Sequence, residues 1–288
     1  MNAEAIAKAL GGRKAGGAWS CRCPAHDDRN PSLVISDGNK GLLVHCYAGC
    51  EPIDVLSALR RLRLVDGRPL EQPRHRHIEH RDDDAQRTAV AQRIWRESKP
   101  AERSPAAAYL GNRGYCGPIP PTIRYHPSLK HSATGLLLPC MVAAVTVAPD
   151  CRVVAVHRTF LLADGRGKAP VTPDKMMLGP CGGGAVRLAP AGPTMIVCEG
   201  LETGLSLLAA TGLPVWAALS AGGVESLVLP PLPLAGEVVI AADNDASGRG
   251  QRAAEVAAAR FHADGRRVRI ALPPEPGQDF NDLMMGCG

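Results

Sequence analysis

The sequence predicts a mixed α/β protein in which a small hairpin, clipped by cysteine and histidine, precedes a larger core ending in a parallel sheet covered by helices. Three observations lead there. Two close pairs of metal-type ligands, Cys23-x2-His26 and Cys46-x3-Cys50, bracket two short apolar runs. A polar, histidine-rich stretch, Asp66–Asp84, separates this clip from the rest. From Thr194 onward, short apolar runs alternate with segments of helical length. A strand buried on both faces reads as a continuous apolar run, so this alternation is the pattern of a parallel sheet.

Residues 2–10 are expected to form a short helix. Ser32–Ser36 and Leu42–His45 read as two strands joined by the turn Asp37-Gly38-Asn39-Lys40-Gly41. Zinc favours four tetrahedral Cys and His ligands, usually in two close pairs. Cys23, His26, Cys46 and Cys50 meet that pattern with no open position, which predicts a structural zinc ribbon over residues 1–65. The competing reading is a set of reduced, buried cysteines with a surface histidine. Cys21 and His45 are spare donors, and Cys21 stands awkwardly near Cys23. Pro52 suits the first position of a helix through Leu59. The run 66–84, almost without apolar residues, reads as a flexible linker.

The chain has 288 residues, ten cysteines and a net charge of +5. Four cysteines and histidines serve the clip, and the remaining cysteines show no regular spacing for disulfides. The first residues lack the apolar centre of a signal peptide, and no run is long enough to span a membrane. A reducing cytoplasm is the expected location. The mild positive charge permits a nucleic-acid partner without demanding one. Aromatics make up 3% of the chain, so platforms for stacking bases are few.

A helix is expected over Ala85–Glu97, followed by an α+β segment within 85–190. Leu136–Val147 and Val153–Leu162 are its strand-like runs. In the last part, 191–288, strands are expected at Met195–Cys198, Val215–Leu219, Glu237–Ala242 and Arg267–Leu272. Helices are expected at Glu202–Ala210, Gly222–Leu229 and Gly248–Ala263.

Sites in open α/β sheets lie beyond the carboxyl ends of the strands. Glu199 directly follows Met195–Cys198, and Asp243 and Asp245 follow Val238–Ala242. Asp279 and Asp282 come after the last strand. Converging carboxylates suit Mg2+, which keeps waters for substrate phosphates. Helix capping explains one such acid but not three at neighbouring strand ends. The stretch from Asp243 also resembles the opening of an EF-hand loop, but the twelfth position, which needs Glu, is Ala254.

These motifs together resemble a known family. Cys23-Pro24-Ala25-His26, Pro31-Ser32-Leu33, His45-Cys46 and Cys50 look like the zinc-binding domain of bacterial and phage DNA primases. Glu199-Gly200 followed by Asp243-x-Asp245 looks like the Toprim domain that primases share with topoisomerases and some nucleases. Tyr109-Leu110-Gly111-Asn112-Arg113-Gly114 is similar to the YLxxRG element of primase cores. His157-Arg158-Thr159-Phe160-Leu161, Lys168 and Lys175-Met176-Met177-Leu178-Gly179 resemble the form found in phage and mobile-element primase-like proteins. The departures are C-x3-C in place of C-x2-C, and Asn244 where cellular primases usually carry Gly.

The resemblance implies synthesis of short RNA primers on single-stranded DNA from ribonucleoside triphosphates, for a phage or mobile element. Glu199, Asp243 and Asp245 would be the catalytic acids. The same three, with Asp279 and Asp282 in support, would hold Mg2+ or Mn2+. Arg113, Arg158, Lys168 and Lys175 are the candidates for template phosphate or the incoming triphosphate. The chain leaves no room for a helicase domain, so a replicative helicase would be a separate partner. Two other functions use the same features: a Toprim nuclease, and a non-catalytic module that binds single-stranded DNA.

Overall fold

The computed structural model describes residues 2–15, 17–28, 31–38, 41–47, 50, 52–65, 80–244 and 247–285, with backbone alone at 80–82 and 284–285. It divides into two compact units, Met1–Arg76 and His77–Gly288.

The first unit contains α1 (Ala3–Ala9), β1 (Arg13–Ala15), β2 (Ala18–Cys21), β3 (Leu33–Gly38), β4 (Gly41–Cys46) and α2 (Pro52–Arg61). The strands form one antiparallel sheet in the order β1-β2-β3-β4. The predicted hairpin is β3–β4, and it is continued by a second, shorter hairpin. Arg13-Lys14-Ala15 carries no apolar alternation, which is why a pattern of burial does not reveal it. Asn2 caps α1 through its side chain, and the Ala3 amide donates to Asp37 at 2.9 Å, tying the helix to the tip of β3. Ile6, Leu33, Ile35, Val55 and Leu59 are fully buried together. The metal-type clip therefore closes a unit that already has a small core.

The second unit contains α3 (His80–Glu97), β5 (Lys99–Pro100), α4 (Pro105–Asn112), β6 (Ile123–Lys130), β7 (Leu137–Val147), β8 (Val153–Phe160), β9 (Lys175–Leu178) and β10 (Gly184–Arg187). It continues with β11 (Thr194–Cys198), α5 (Leu201–Thr211), β12 (Val215–Ala217), α6 (Ala221–Ser226), β13 (Glu237–Ala241), α7 (Arg249–Ala263), β14 (Arg267–Ala271) and α8 (Phe280–Met285). Helix α3 begins five residues before the expected Ala85. Asp83 and Asp84 read as linker because they are charged, yet acids in the opening turns of a helix are favourable. Residues 66–79 of the expected linker lie outside the described residues.

One ten-stranded sheet runs through this unit in the order β14-β13-β11-β12-β10-β7-β6-β5, with β8 and β9 branching from β7. Strands β11 to β14 pair in parallel, as the apolar runs predict. The middle segment is antiparallel. Strand β10 joins the two parts, antiparallel to both β12 and β7. Four residues long and Gly-started, it shows no strand pattern in the sequence. Its pairing joins the antiparallel segment and the parallel strands in one continuous sheet. Met195, Val197, Val238, Ile240 and Phe261 fill the core between the parallel strands and α7. On the other face, α5 lies close to β11. A side chain at Gly204 would meet Cys198 Sγ at 3.0 Å and Leu188 Cδ1 at 2.9 Å, so only glycine allows that approach.

Candidate functional site

In the first unit, β3–β4 and the flanking turns bring Cys23, His26, Cys46 and Cys50 together, with their donor atoms all within 4.8 Å of one another. His26 Nδ1 stands 3.1 Å from Cys50 Sγ and 4.0 Å from Cys46 Sγ. Burial, and then the neighbouring thiols, push Cys23 up to about 12 and raise Cys50 as well. Three crowded thiols and one imidazole can all act as ligands only if a cation offsets the thiolate charge, and this donor set is that of a structural zinc site. The spare donors lie elsewhere. Cys21 is buried in the core, and His45 packs edge-on against Tyr47 at 4.7 Å.

The sequence reading missed Asp28. Its Oδ2 accepts from the Cys23 amide at 2.6 Å, the Ser32 amide at 3.1 Å and the Ser32 hydroxyl at 2.7 Å. Burial would raise its carboxyl, but these donors hold it below the usual range. Its other oxygen lies 3.7 Å from His26 Nε2, the ring nitrogen turned away from the thiols. A carboxylate behind a ligating histidine fixes the ring and its tautomer.

In the second unit a cavity of about 490 Å³ opens beside the carboxyl ends of β11 and β13. Three predicted acids line it: Glu199, one residue past β11; Asp243, two past β13; and Asp279, ahead of α8. Behind them lies the buried Cys198 thiol, raised by burial and then by Asp243, Glu199 and Asp279. That concentration of negative charge suits a divalent cation held by oxygen ligands. Asp245 lies outside the described residues. Among the described residues, only the Cys/His cluster brings three or more donor atoms within mutual ligand range. Glu199, Asp243 and Asp279 share the cavity without all three closing to that distance.

Asp282 is not in the cavity wall. Its Oδ2 accepts from the Asp279 amide at 3.2 Å, and its own amide donates to Asp279 Oδ1 at 2.9 Å. The pair forms a reciprocal cap at the start of α8, which explains the spacing that read as metal support.

Three of the four predicted cations, Arg113, Lys168 and Lys175, line the same cavity. Arg158 does not. It is buried, and its Nη2 donates to the Met177 carbonyl at 3.3 Å. Successive residues of a strand face opposite sides, so it is His157, its neighbour on β8, that reaches the cavity. Burial, and then Lys175, lower His157 to about 4, which keeps its ring neutral.

Several residues in the cavity wall or supporting it were not singled out from the sequence. Arg166 sits with Lys168 on the loop between β8 and β9. The glycine-flanked run Gly165-Arg166-Gly167-Lys168 was the available signal. Leu219, at φ 69°, turns the chain beyond β12 with its amide on the Glu199 carbonyl at 2.8 Å. A non-glycine residue in that conformation is strained, a feature common near functional sites. Asn281 is fully buried. Oriented to satisfy both ends of its amide, it accepts from Arg113 Nη2 at 3.0 Å and donates to the Arg113 carbonyl at 3.1 Å. It thereby joins the end of α4 to α8.

Glu202 is the fourth acid at the cavity. It is 7% exposed, accepts from the Tyr109 hydroxyl at 2.7 Å and pairs with Lys175 Nζ at 2.9 Å. Burial alone would raise its carboxyl, but Lys175 and Tyr109 outweigh it and hold it at about 2.

Residues 194–288 match the family model described as Toprim domain. This part of the chain is a Toprim domain. The residues that lead into it, 85–188, match a model described as a domain of unknown function (DUF7146). No curated protein matches the sequence. Among solved structures, the chain is similar to the Aquifex aeolicus primase (zinc binding and RNA polymerase domains). Identity is 16% and the TM-score 0.44, covering 98% of this chain and 79% of that one. A DnaG primase catalytic domain bound to ssDNA is 15% identical at a TM-score of 0.48, covering 72% and 79%. The primase fragment of the bacteriophage T7 primase-helicase protein is 12% identical at 0.39, covering 93% and 95%. The cavity acids Glu199, Asp243 and Asp279 all belong to the Toprim domain, and the cations that face them come from the segment before it.

Proposed function

We propose that this protein is a primase-type nucleotidyltransferase that makes short RNA primers on single-stranded DNA, serving a phage or mobile element. The observation that carries the reading is the composition of one cavity. Toprim acids line it together with Arg113, Arg166, Lys168 and Lys175 from the preceding segment. A nucleoside triphosphate needs both kinds of wall, cations for its phosphates and acids for the metal that accompanies them. Glu199, Asp243, Asp245 and Asp279 are the residues that would hold Mg2+ or Mn2+. The ion, when bound, would neutralise charge developing on the transferring phosphate.

In the reaction the 3′-hydroxyl of one nucleotide attacks the α-phosphorus of the next. The new phosphodiester bond forms as the bond to pyrophosphate breaks, and the hydroxyl proton leaves to a base. Glu199 is the candidate base. Arg113, Arg166, Lys168 and Lys175 would orient the triphosphate and take up charge on the departing pyrophosphate. Cys23, His26, Cys46 and Cys50 would hold the structural zinc of a unit that grips template. The test is incubation of the whole protein with mixed-sequence single-stranded DNA, four ribonucleotides and Mg2+ or Mn2+. Short products that require ribonucleotides are expected. Shortening of the DNA without ribonucleotides would mean a Toprim nuclease instead. Binding of DNA with neither product would leave a non-catalytic module.

A further inference from the structure

Glu202 is an unusual acid for a site that must admit a polyanion. Its side chain is 7% exposed and lies in the first turn of α5, three residues after Glu199. Its oxygens accept from Tyr109 of α4 and from Lys175 of β9, while Glu202 itself belongs to α5. Three chain segments far apart in sequence therefore meet at one carboxylate. The Lys175 side chain is 35% exposed and lines the cavity, so its ammonium stands between the buried acid and open space. An ammonium has three protons to donate, and Glu202 engages only one side of it. Tyr109 has its own part in this, because its hydroxyl donates at 2.7 Å to Glu202 Oε1, one of the two carboxylate oxygens that Lys175 Nζ reaches at 2.9 Å. A lysine on four rotatable carbons loses much rotamer freedom when it binds a ligand. Holding it in place beforehand removes that cost from the binding step.

We infer that Glu202 is a positioning residue, which with Tyr109 aims the Lys175 ammonium at the phosphates of a bound nucleotide. This rests on the nucleotide reading of the cavity proposed above. It makes a prediction opposite in sign to charge counting. Removing a negative charge from an anion site should tighten anion binding. If Glu202 acts by holding Lys175, its loss weakens binding instead.

The test is calorimetric titration of ATP with Mg2+ into the full chain, without template. Glu202→Gln keeps the shape and loses the charge. Its Kd should rise about tenfold, the effect of one lost charge-assisted hydrogen bond. Lys175→Met should raise Kd as much, and the double variant should be no weaker than Lys175→Met alone, since the two act as one unit. Tyr109→Phe, which leaves the ion pair in place, should raise Kd by about two- to threefold. It serves as the readout should Glu202→Gln fail to fold. In synthesis assays KM for nucleotide should rise more than kcat falls. Tighter or unchanged ATP binding by Glu202→Gln, or by Tyr109→Phe where that is the readout, overturns the positioning role alone. A wild-type protein that binds no ATP overturns both this role and the nucleotide reading.

Discussion

Cys198 and Ala241 stand opposite each other as the last residues of two adjacent parallel strands. The register sends the residues that follow, Glu199 and then Asp243, out at the same end of the sheet and into one cavity. Each acid should therefore be needed, and neither should be needed for folding. Glu199→Gln and Asp243→Asn keep the side-chain shape and remove one charge. Each is expected to lower primer synthesis by about 100-fold or more, the usual scale for losing a group that stabilises transition-state charge. Thermal unfolding should stay within a few degrees of the wild type. Near-normal product on a gel from either variant would remove that residue from the catalytic set.

The parallel half of the fold was legible because its strands are continuous apolar runs with acids at their ends. Met195–Cys198 and Val238–Ala242 give themselves away by composition alone. Strand β10 was not legible, since Gly184-Ala185-Val186-Arg187 is set by its neighbours on both sides rather than by its own pattern. Position at the strand ends picks out the acids that share the cavity, while Asp282 lies outside its wall and pairs with Asp279 in a cap, since a capping pair and a metal pair have the same spacing. Arg158 lies outside the cavity wall and His157 lines it, since a motif gives no strand face. Glu202 was invisible as a site residue. Its meaning comes from Tyr109 and Lys175, 93 and 27 residues away.

The N-terminal cluster should bind one zinc per chain. Cys50→Ser should lower that content and loosen the first unit, with the second unit's unfolding unchanged. Cys21→Ala should retain the metal, because Cys21 lies in the core and outside the cluster. Asp28→Asn tests the carboxylate behind His26. It should weaken zinc retention against a chelator by roughly 10- to 100-fold, the range for loss of such a partner. Equal retention in Asp28→Asn and wild type would reduce Asp28 to a turn residue that serves only Cys23 and Ser32.

Two buried groups set separate acid windows for stability. His157 is lowered from 6.5 to about 4 by burial and then by Lys175, so the fold favours its neutral form. The stability it contributes is complete above pH 6.5 and is lost as pH falls towards 4. Glu202 is held at about 2 instead of 4.5, since Lys175 and Tyr109 outweigh the opposing effect of burial. Its contribution is complete above pH 4.5 and is lost as pH falls towards 2. At 1.36 kcal/mol per pH unit, each window spans on the order of 3 kcal/mol. Urea unfolding at several pH values should show His157→Gln flattening the upper window and Glu202→Gln the lower. Equal wild-type stability at neutral pH and near pH 4 would contradict the buried, neutral state of His157.

The loop that carries Arg166 and Lys168 depends on one glycine. Gly165 has φ 71°, and a side chain there would run into the Pro105 carbonyl and stand 2.8 Å from Ala108 Cβ. Its own carbonyl accepts from Asn112 Nδ2 at 3.4 Å, so the loop is laid directly on α4. A side chain needs both a different backbone conformation and more room than α4 leaves. Gly165→Ala should therefore lift the loop and carry both cations away from the cavity. The expected result is a rise in nucleotide KM of about tenfold with a smaller loss of kcat, because binding groups are moved while the acids stay. Zinc content should not change. Gly111→Ala is the control on the same helix, where an added methyl meets nothing within 4 Å. That change should stabilise α4 by roughly 0.5–1 kcal/mol and leave KM as it was. If Gly165→Ala leaves nucleotide KM unchanged, Arg166 and Lys168 do not reach the phosphates, and the cationic wall of the cavity reduces to Arg113 and Lys175.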